Sequence, residues 1–315
     1  MTTFRFGGSS VLWPGAHPTS LPVSTADPDI IVVRPREASQ TQTPIPDARP
    51  SPDSPSAQPL LTARSPDQLL LRFDGLADFE ITTGEPVTVS PRPEPSTGQE
   101  TLEHLLLDHV LPRVLAHRGA LVLHAGAVRA DTETVAFIGE TGRGKSTLTA
   151  SFDLAGQSAL SDDGLAITCA DQRVLAAPTY PSLRLWPDAL EGVFESRPKV
   201  APMAHYSTKR RVVRDAGTSS PQEPTPLKAL YVLGEPAVAG DDVSIEPLSE
   251  REAVMAIIGN TFQLDPSDKT RASRLFEQAA QVAQRLPAFE LSYPREFARL
   301  AEVRAAVLRH ARTLQ

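Results

Sequence analysis

The N-terminal third of the chain has short stretches in which apolar and polar residues alternate, a pattern typical of β-strands. Residues 30–34 form one strand candidate. Gln68–Phe73 alternates and is expected to pair with residues 79–82 across the turn dipeptide Asp74–Gly75. The pattern therefore predicts β-structure with at least one hairpin in this part of the chain.

After residue 100 the apolar positions change to a helical period. Residues 101–117 predict a helix, which Pro112 should kink or divide and Gly119 should end. Residues 120–128 and 135–138 are apolar and predict strands. Because 135–138 is wholly apolar, we expect it to lie in the buried middle of a sheet.

The second half of the chain alternates strand and helix patterns, which favours an α/β fold with a twisted sheet. Ser249 and Glu252 have the spacing of a capping box at a helix start. The remaining predicted elements are a strand at 227–233, a helix at 267–285, a strand at 289–292 and a C-terminal helix opened by Pro294.

Prolines suggest how the chain is divided. The sequence has 30 prolines in 315 residues, and a dense group between residues 37 and 66 interrupts regular structure. We read that stretch as a flexible linker or surface excursion. The predicted organisation is an N-terminal segment at 1–36, a proline-rich linker at 37–66, a small β-containing region at 67–100 and an α/β domain at 101–315.

Charge and cysteine content exclude several classes of function. The net charge is −7, and nothing in the sequence demands the basic face of a nucleic-acid-binding protein. No apolar stretch approaches the roughly 18 residues of a membrane span, and the start of the chain lacks a signal-peptide pattern. We therefore expect a cytoplasmic protein with no membrane partner. The lone Cys169 excludes an internal disulfide and a cysteine-based zinc site, and we expect a buried thiol.

One glycine-rich segment carries a specific chemical signal, because it fits the phosphate-loop pattern G-x-x-x-x-G-K-[ST] between an apolar strand and a helix. Its glycines let several backbone N–H groups face one point, and the following helix adds its positive end. The Lys145 ammonium can then reach phosphates and the Ser146 hydroxyl can bind magnesium. The expected nucleotide-binding residues are Gly139, Glu140, Thr141, Gly142, Arg143, Gly144, Lys145, Ser146 and Thr147.

An acidic pair follows the loop closely. Asp162 and Asp163 come sixteen and seventeen residues after Ser146, so a short helix, a turn and a strand can return them to the loop. One carboxylate can then hold magnesium while the other accepts a proton from an attacking hydroxyl. The alternative is an ordinary Asp-Asp-Gly turn. The short spacing favours a kinase-like site over that of motor or transporter ATPases.

These segments resemble the catalytic domain of HPr kinase/phosphorylase. The resemblance rests on residues 123–128 around His124, on residues 137–148 and on residues 160–165. It is closer still to HPr-kinase-like proteins of bacterial biosynthetic clusters, including lasso-peptide tail kinases, through residues 177–181, 184–188 and 293–295. It implies an α/β fold with a phosphate-loop core like that of phosphoenolpyruvate carboxykinase, joined to a smaller β-containing N-terminal region.

The resemblance also implies roles for particular residues. ATP and Mg²⁺ would be bound by the phosphate loop, with Ser146 and Asp163 as metal ligands and the acidic pair serving metal and acceptor. Which acid is the base stays open. His124 would line the site, although on sequence alone it reads more readily as a core or surface histidine. The family's glycine-rich signature loop is replaced by residues 184–193, so neither HPr as acceptor nor reverse phosphorolysis is expected.

Further cationic residues are weaker candidates. Arg184 can steady an anionic acceptor or the transferred phosphoryl group, or be a surface strand arginine. Lys209, Arg210 and Arg211 can clamp phosphates from a loop, or form a solvated face. Trp186 is expected to pack in the interior. The expected catalytic residues are thus Asp162, Asp163, Lys145, His124 and Arg184.

The sequence leaves three functions open. The preferred one is ATP-dependent phosphoryl transfer to a hydroxyl of a peptide, a protein or a small molecule. The second is a nucleotide-binding regulatory or accessory protein, and the third is a hydrolytic ATPase. Members of the resembled family often form homo-oligomers, which the resemblance allows for this chain.

Overall fold

The computed structural model describes residues 2–14, 21, 23–35, 49–51, 60–65, 67–130, 133–180, 182–196, 198–213, 223–238 and 241–314. Most of the predicted linker at 37–66, and Pro181 of the segment 177–181, lie outside the described residues. None of the described helices is long and apolar enough to cross a membrane.

The N-terminal part forms an eight-stranded sheet. Its strands are β1 Thr2–Phe6, β2 Ser9–Trp13, β3 Ile30–Val32, β4 Arg49–Ser51, β5 Leu60–Arg64, β6 Gln68–Phe73, β7 Ala77–Thr82 and β8 Val87–Pro93. Their order in the sheet is β1-β2-β3-β8-β7-β6-β5-β4. The antiparallel pair β6–β7 confirms the predicted hairpin. Strands β4 and β5 fall within the proline-rich stretch and pair at one edge of the sheet.

A nine-stranded mixed sheet forms the second half. Its strands are β9 Leu121–Leu123, β10 Gly126–Ala130, β11 Glu133–Ile138, β12 Ala159–Ser161, β13 Leu165–Ala170, β14 Arg173–Pro178, β18 Thr225–Leu233, β19 Ser244–Pro247 and β20 Ala288–Ser292. Strand β18 pairs in parallel with both β11 and β20. Residues 135–138 of β11 are fully buried, as their unbroken apolar run predicts. A separate three-stranded sheet consists of β15 Arg184–Leu185, β17 Arg210–Val212 and β16 Val200–Pro202, in that order.

The α-helices of the described residues are α1 Gln99–Leu105, α2 Leu111–His117, α3 Lys145–Leu154, α4 Pro187–Val193, α5 Glu250–Gly259, α6 Lys269–Arg285 and α7 Leu300–Thr313. Four of them cover the two faces of the nine-stranded sheet. Apolar residues of α5 and α6 pack on one face of the sheet, and those of α3 and α7 pack on the other. The observed α/β architecture therefore agrees with the class that the alternating pattern predicts.

The helix predicted at 101–117 is continuous but irregular. A π-helical segment, Leu106–Val110, joins α1 to α2, and Pro112 lies in the first turn of α2. Proline has no N–H for the carbonyl four residues earlier, so a local change of hydrogen-bond register takes the place of the expected kink or break. The π-helical segment carries Asp108 and His109.

Three sequence expectations need correction, and one alternative that the sequence left open is decided. Cys169 is exposed, because the end of β13 extends into a hairpin whose turn residues Asp171 and Gln172 have positive φ. The C-terminal helix begins at Leu300 rather than at Pro294. Trp186 is 49% exposed and does not pack in the interior. Arg184, by contrast, is buried rather than a surface strand arginine.

Candidate active site

The phosphate loop runs from the end of β11 to the start of α3. Gly139, Gly142 and Gly144 have φ values of +143°, +87° and +90°, which L side chains rarely adopt. Space is limited as well, since a Cβ on Gly139 would lie 2.9 Å from the carbonyl oxygen of Leu233. The glycines of the pattern are therefore required by the loop's backbone.

Lys145 is the first residue of α3 and its side chain folds back over the loop. Its Nζ donates hydrogen bonds to the carbonyl oxygens of Gly139 and, at 3.2 Å, Glu140. Burial lowers the pKa of Lys145 to about 8, although Asp163 and Asp162 oppose this shift. A desolvated ammonium interacts more strongly with phosphate oxygens than one in water does.

Asp162 directly follows β12, which lies beside β10 in the sheet. Its carboxylate is buried, and Oδ2 accepts a hydrogen bond of 2.9 Å from the backbone N–H of Arg184. Oδ1 has no hydrogen-bond partner among the described residues, and the nearby Ser146 hydroxyl lowers the pKa less than Arg184 does. Burial first, and then the negative charge of Asp163, raise the pKa of Asp162 to about 6.

Asp163 is held in its charged form. Its Oδ1 lies 3.2 Å from His124 Nε2, and its Oδ2 accepts a hydrogen bond from Arg184 Nη1. Burial alone would raise the pKa of Asp163, but the charge of Arg184 and the hydrogen bond from His124 bring it well below its usual value. The pKa values of the two neighbouring acids are thus shifted in opposite directions, as in many acid–base sites.

His124 lies between β9 and β10 and faces the acidic pair. Partial burial lowers its pKa, so that the neutral imidazole predominates near pH 7 and Nε2–H can donate to Asp163. The ring packs against Phe262 with centroids 5.7 Å apart. The sequence leaves open whether His124 lines the site or is a core or surface histidine, and in the structure it lies beside the acids.

Asp108, which sequence reasoning missed, is joined to the acidic pair through Arg184. Its Oδ1 accepts from Arg184 Nη2, and its Oδ2 lies 2.5 Å from His104 Nδ1. Arg184 thereby bridges two buried carboxylates, and their charges keep its pKa above the usual value despite burial. A π-helical segment is often found at functional sites, but Pro112 was the only sequence signal for it here.

Asn260 is another residue that sequence reasoning missed. Its Oδ1 accepts from the backbone N–H of Gly139 at 3.0 Å, and its carbonyl oxygen accepts from the backbone N–H of His124 at 2.7 Å. The residue lies at the C-terminal end of α5. Asn260 therefore ties the first glycine of the phosphate loop, through its side chain, to His124, through its backbone carbonyl.

Cationic residues line the outer rim of the loop. Arg295 stacks on Tyr293, donates to the carbonyl oxygen of Gly234 at 3.0 Å, and lies 2.9 Å from the position that a Cβ on Gly144 would take. Arg143 pairs with Glu140 and Glu235 at the surface. Thr141 and Gly142 are exposed at the tip of the loop, and Thr147 is half-buried in the first turn of α3.

Comparison with known proteins shows a distant structural similarity. No protein-family model matches the chain, and no curated protein sequence matches it. Among solved structures, the chain is similar to the HPr(Ser) kinase/phosphatase from Coxiella burnetii, with a TM-score of 0.33 and 9% sequence identity. The match covers 61% of this chain and 97% of that chain. The function is therefore inferred from the geometry of the site.

The donor set fits a magnesium ion shared with phosphates rather than an all-protein metal cage. Among the described residues, no three His, Cys, Asp or Glu side chains are grouped to hold a metal. Magnesium commonly uses one or two carboxylates with substrate phosphates and water. Asp162 offers a buried oxygen without a partner near the Ser146 hydroxyl, whereas both oxygens of Asp163 are already engaged.

Proposed function

We propose that the protein is an ATP-dependent kinase that transfers the γ-phosphoryl group to a hydroxyl of a peptide, a protein or a small molecule. The observation that carries the proposal is that two acids, whose pKa values are shifted in opposite directions, lie beside the phosphate loop. A loop alone would suit any nucleotide-binding protein. A buried acid with raised pKa close to Ser146 supplies the base that phosphoryl transfer to a hydroxyl needs.

The loop residues hold the nucleotide in this proposal. Backbone N–H groups of residues 139–144 and the positive end of α3 face the phosphates, and the Lys145 ammonium exchanges its two carbonyl partners for phosphate oxygens. The Ser146 hydroxyl would hold Mg²⁺ together with the phosphates and water, and the metal would supply charge that neutralises the phosphates. This differs from the sequence expectation that Asp163 is a metal ligand, because both oxygens of Asp163 are engaged by His124 and Arg184.

Asp162 is the better general base of the pair. Its pKa of about 6 leaves it mostly ionised at pH 7 yet with more proton affinity than an ordinary aspartate. The acceptor oxygen forms a bond to the γ-phosphorus, its proton passes to Asp162, and the bond to the bridging oxygen breaks with its electrons leaving on ADP. Because the two acids titrate together, the base function belongs to the pair with Asp162 as its protonatable member.

Asp163, His124 and Arg184 have a positioning role. Arg184 fixes Asp163 through its guanidinium and Asp162 through its backbone N–H, so the two acids keep a set separation. The charge on Asp163 raises the proton affinity of Asp162. His124 donates to Asp163 and closes the other side of the pair.

The test compares wild type with Asp162→Asn, using Asp171→Asn in the exposed β13–β14 turn as the matched control. Calorimetry with MgATP measures binding, and transfer of label from γ-labelled ATP to serine peptides and small hydroxyl compounds measures activity. We expect Asp162→Asn to retain binding and to lose transfer by about 10² or more. The control should match wild type in both assays.

Two outcomes would overturn the proposal. If Asp162→Asn binds MgATP and equals wild type in every functional assay, a regulatory or accessory nucleotide-binding protein is the better description. If phosphate is released steadily without an acceptor and no candidate acceptor alters the rate, the protein is a hydrolase.

A further inference from the structure

Arg211 lies next to the acidic pair on the three-stranded sheet. In the pairing of β15 with β17, Arg211 is the cross-strand partner of Arg184. Directly paired residues project to the same face of a sheet. Both guanidinium groups accordingly lie over the ring of Tyr180, at 5.2 Å for Arg184 and 5.6 Å for Arg211. Arg211 is thus connected to Asp163 through Arg184, which pairs with Arg211 and donates to Asp163.

The two arginines differ in their partners. Both Nη atoms of Arg184 bind carboxylates, on Asp163 and Asp108. Nε and Nη2 of Arg211 are buried and have no hydrogen-bond partner, and none of the described carboxylates forms an ion pair with it. Buried donors of a permanent charge are costly to leave unsatisfied, so such a group marks a place where an anion can bind.

A second cation and an exposed aromatic ring extend the same patch. Lys209 Nζ lies 5.3 Å from the ring centre of Trp186, whose side chain is 49% exposed. The positive charge of Lys209 also lowers the pKa values of Lys145, His124 and Asp163, so Lys209 is close enough to act on the charges of the candidate active site. We call Lys209, Arg211, Tyr180 and Trp186 the cationic pocket.

We propose that the cationic pocket binds an anionic group of the phosphoryl acceptor, a carboxylate or a phosphate, close to the hydroxyl that is phosphorylated. This rests on the proposed kinase function and specifies its substrate class. The rim cation Arg295 lies beside Gly144 of the phosphate loop. Arg184 joins the cationic pocket to the acids, because its backbone N–H donates to Asp162 and it pairs with Arg211 across the sheet. The cationic pocket is therefore next to the acids, where an acceptor hydroxyl has to lie to lose its proton to Asp162.

The anion site can be tested without knowing the acceptor. With the phosphate loop saturated by MgAMP-PNP, inorganic phosphate is titrated at constant ionic strength while tryptophan fluorescence reports on Trp186. Trp13, the other tryptophan, is 4% exposed and distant in sequence, and Trp186→Phe identifies its background signal. Arg211→Gln is the test variant. Arg210→Gln is the control, because it removes the same charge from the opposite face of β17.

We expect wild type and Arg210→Gln to bind phosphate saturably, and Arg211→Gln to bind about tenfold more weakly, as for loss of a charge-assisted hydrogen bond. Arg211→Lys keeps the positive charge but loses the planar guanidinium, so its affinity for phosphate should lie between those of wild type and Arg211→Gln. Thermal unfolding verifies that each variant is folded. No saturable response in wild type, or equal binding by wild type and Arg211→Gln, would refute the pocket.

A second measurement separates the acceptor from the nucleotide as the source of the anion. Calorimetry with MgATP should give Arg211→Gln an affinity within about threefold of wild type. A tenfold loss there would overturn the proposal, because the anion would then be a nucleotide phosphate. If wild type does not bind nucleotide at all, the proposed kinase function fails. The anion site is then tested separately, by titrating phosphate into Lys145→Ala with and without the Arg211→Gln substitution.

Discussion

The backbone N–H of Arg184 donates to Asp162 Oδ2 at 2.9 Å, and this bond satisfies only one of the two carboxylate oxygens. The other oxygen is buried without a partner among the described residues. A carboxylate in such a setting is destabilised when it is charged. The buried charge of Asp162 therefore costs stability, and a chemical role explains its presence better than a structural one does.

Replacing Asp162 by asparagine should stabilise the fold at alkaline pH. The folded pKa of about 6 lies above the ordinary 3.8, so protonation stabilises the folded state. That stabilisation is complete below pH 3.8 and is lost as pH rises through 6. An amide carries no charge, and Asp162→Asn should gain up to about 3 kcal/mol over wild type at pH 8.

Urea unfolding at pH 8 and at pH 4.5 measures this difference. The advantage of Asp162→Asn should shrink at the lower pH, and Asp171→Asn should show no advantage at either. A variant that is less stable than wild type by the same amount at both values would show that the buried charge carries no penalty.

Nucleotide binding should take up a proton at alkaline pH. Burial holds the pKa of Lys145 at about 8, so much of the lysine is neutral at pH 8.5. Phosphates would raise this pKa, and about half a proton or more should be absorbed per MgAMP-PNP bound. Calorimetry in two buffers of different ionisation enthalpy measures the uptake. Lys145→Arg, which stays charged, should show none, and a buffer-independent enthalpy for wild type would contradict the assignment.

Asp108 should matter for both stability and transfer. Asp108→Asn leaves the buried Arg184 with one carboxylate instead of two, and breaking such a pair typically costs about 3 kcal/mol or more. Because Asp108 does not touch the phosphate loop, MgATP affinity should change little while transfer falls. Glu100→Gln, on the first turn of α1, is the control. Wild-type stability and transfer in Asp108→Asn would show that Arg184 needs no second partner.

Gly126 should be intolerant of a side chain unless Thr149 is shortened. A Cβ on Gly126 would lie 2.2 Å from Thr149 Oγ1, at the point where α3 crosses β10. We expect Gly126→Ala to lose about 1–3 kcal/mol of unfolding free energy. Thr149→Ala removes a buried hydroxyl without a hydrogen bond and should restore most of the loss in the double variant. Additive losses in the double-mutant cycle would contradict the contact.

Local patterns predicted the elements that local chemistry determines. The capping box of Ser249 and Glu252 is present with both of its hydrogen bonds, and the loop lies between a buried strand and a helix as expected. The exposure of Cys169 was not predictable from the apolar run around it, because exposure depends on where neighbouring strands end. The start of α7 was misplaced because proline permits a helix start without requiring one.

The residues that support the acids were hidden because their partners are distant in the chain. Asp108 lies 76 positions from Arg184, and Asn260 lies 121 positions from Gly139. No period or spacing rule links positions that far apart, so only the folded topology brings them together. The motif residues were found because the phosphate loop and the acids lie within one short strand-helix-strand passage.

The N-terminal sheet bears directly on how this protein can be divided. Apolar residues of that sheet cover the helix that carries Asp108, and Phe73 packs against His109 with ring centres 5.8 Å apart. A fragment beginning at Gln99 would keep every motif residue, but it would expose the apolar face of this helix to water. Transplanting the α/β half alone into another protein would thus remove the apolar support of the helix that carries Asp108, so the smallest transferable unit includes the N-terminal sheet.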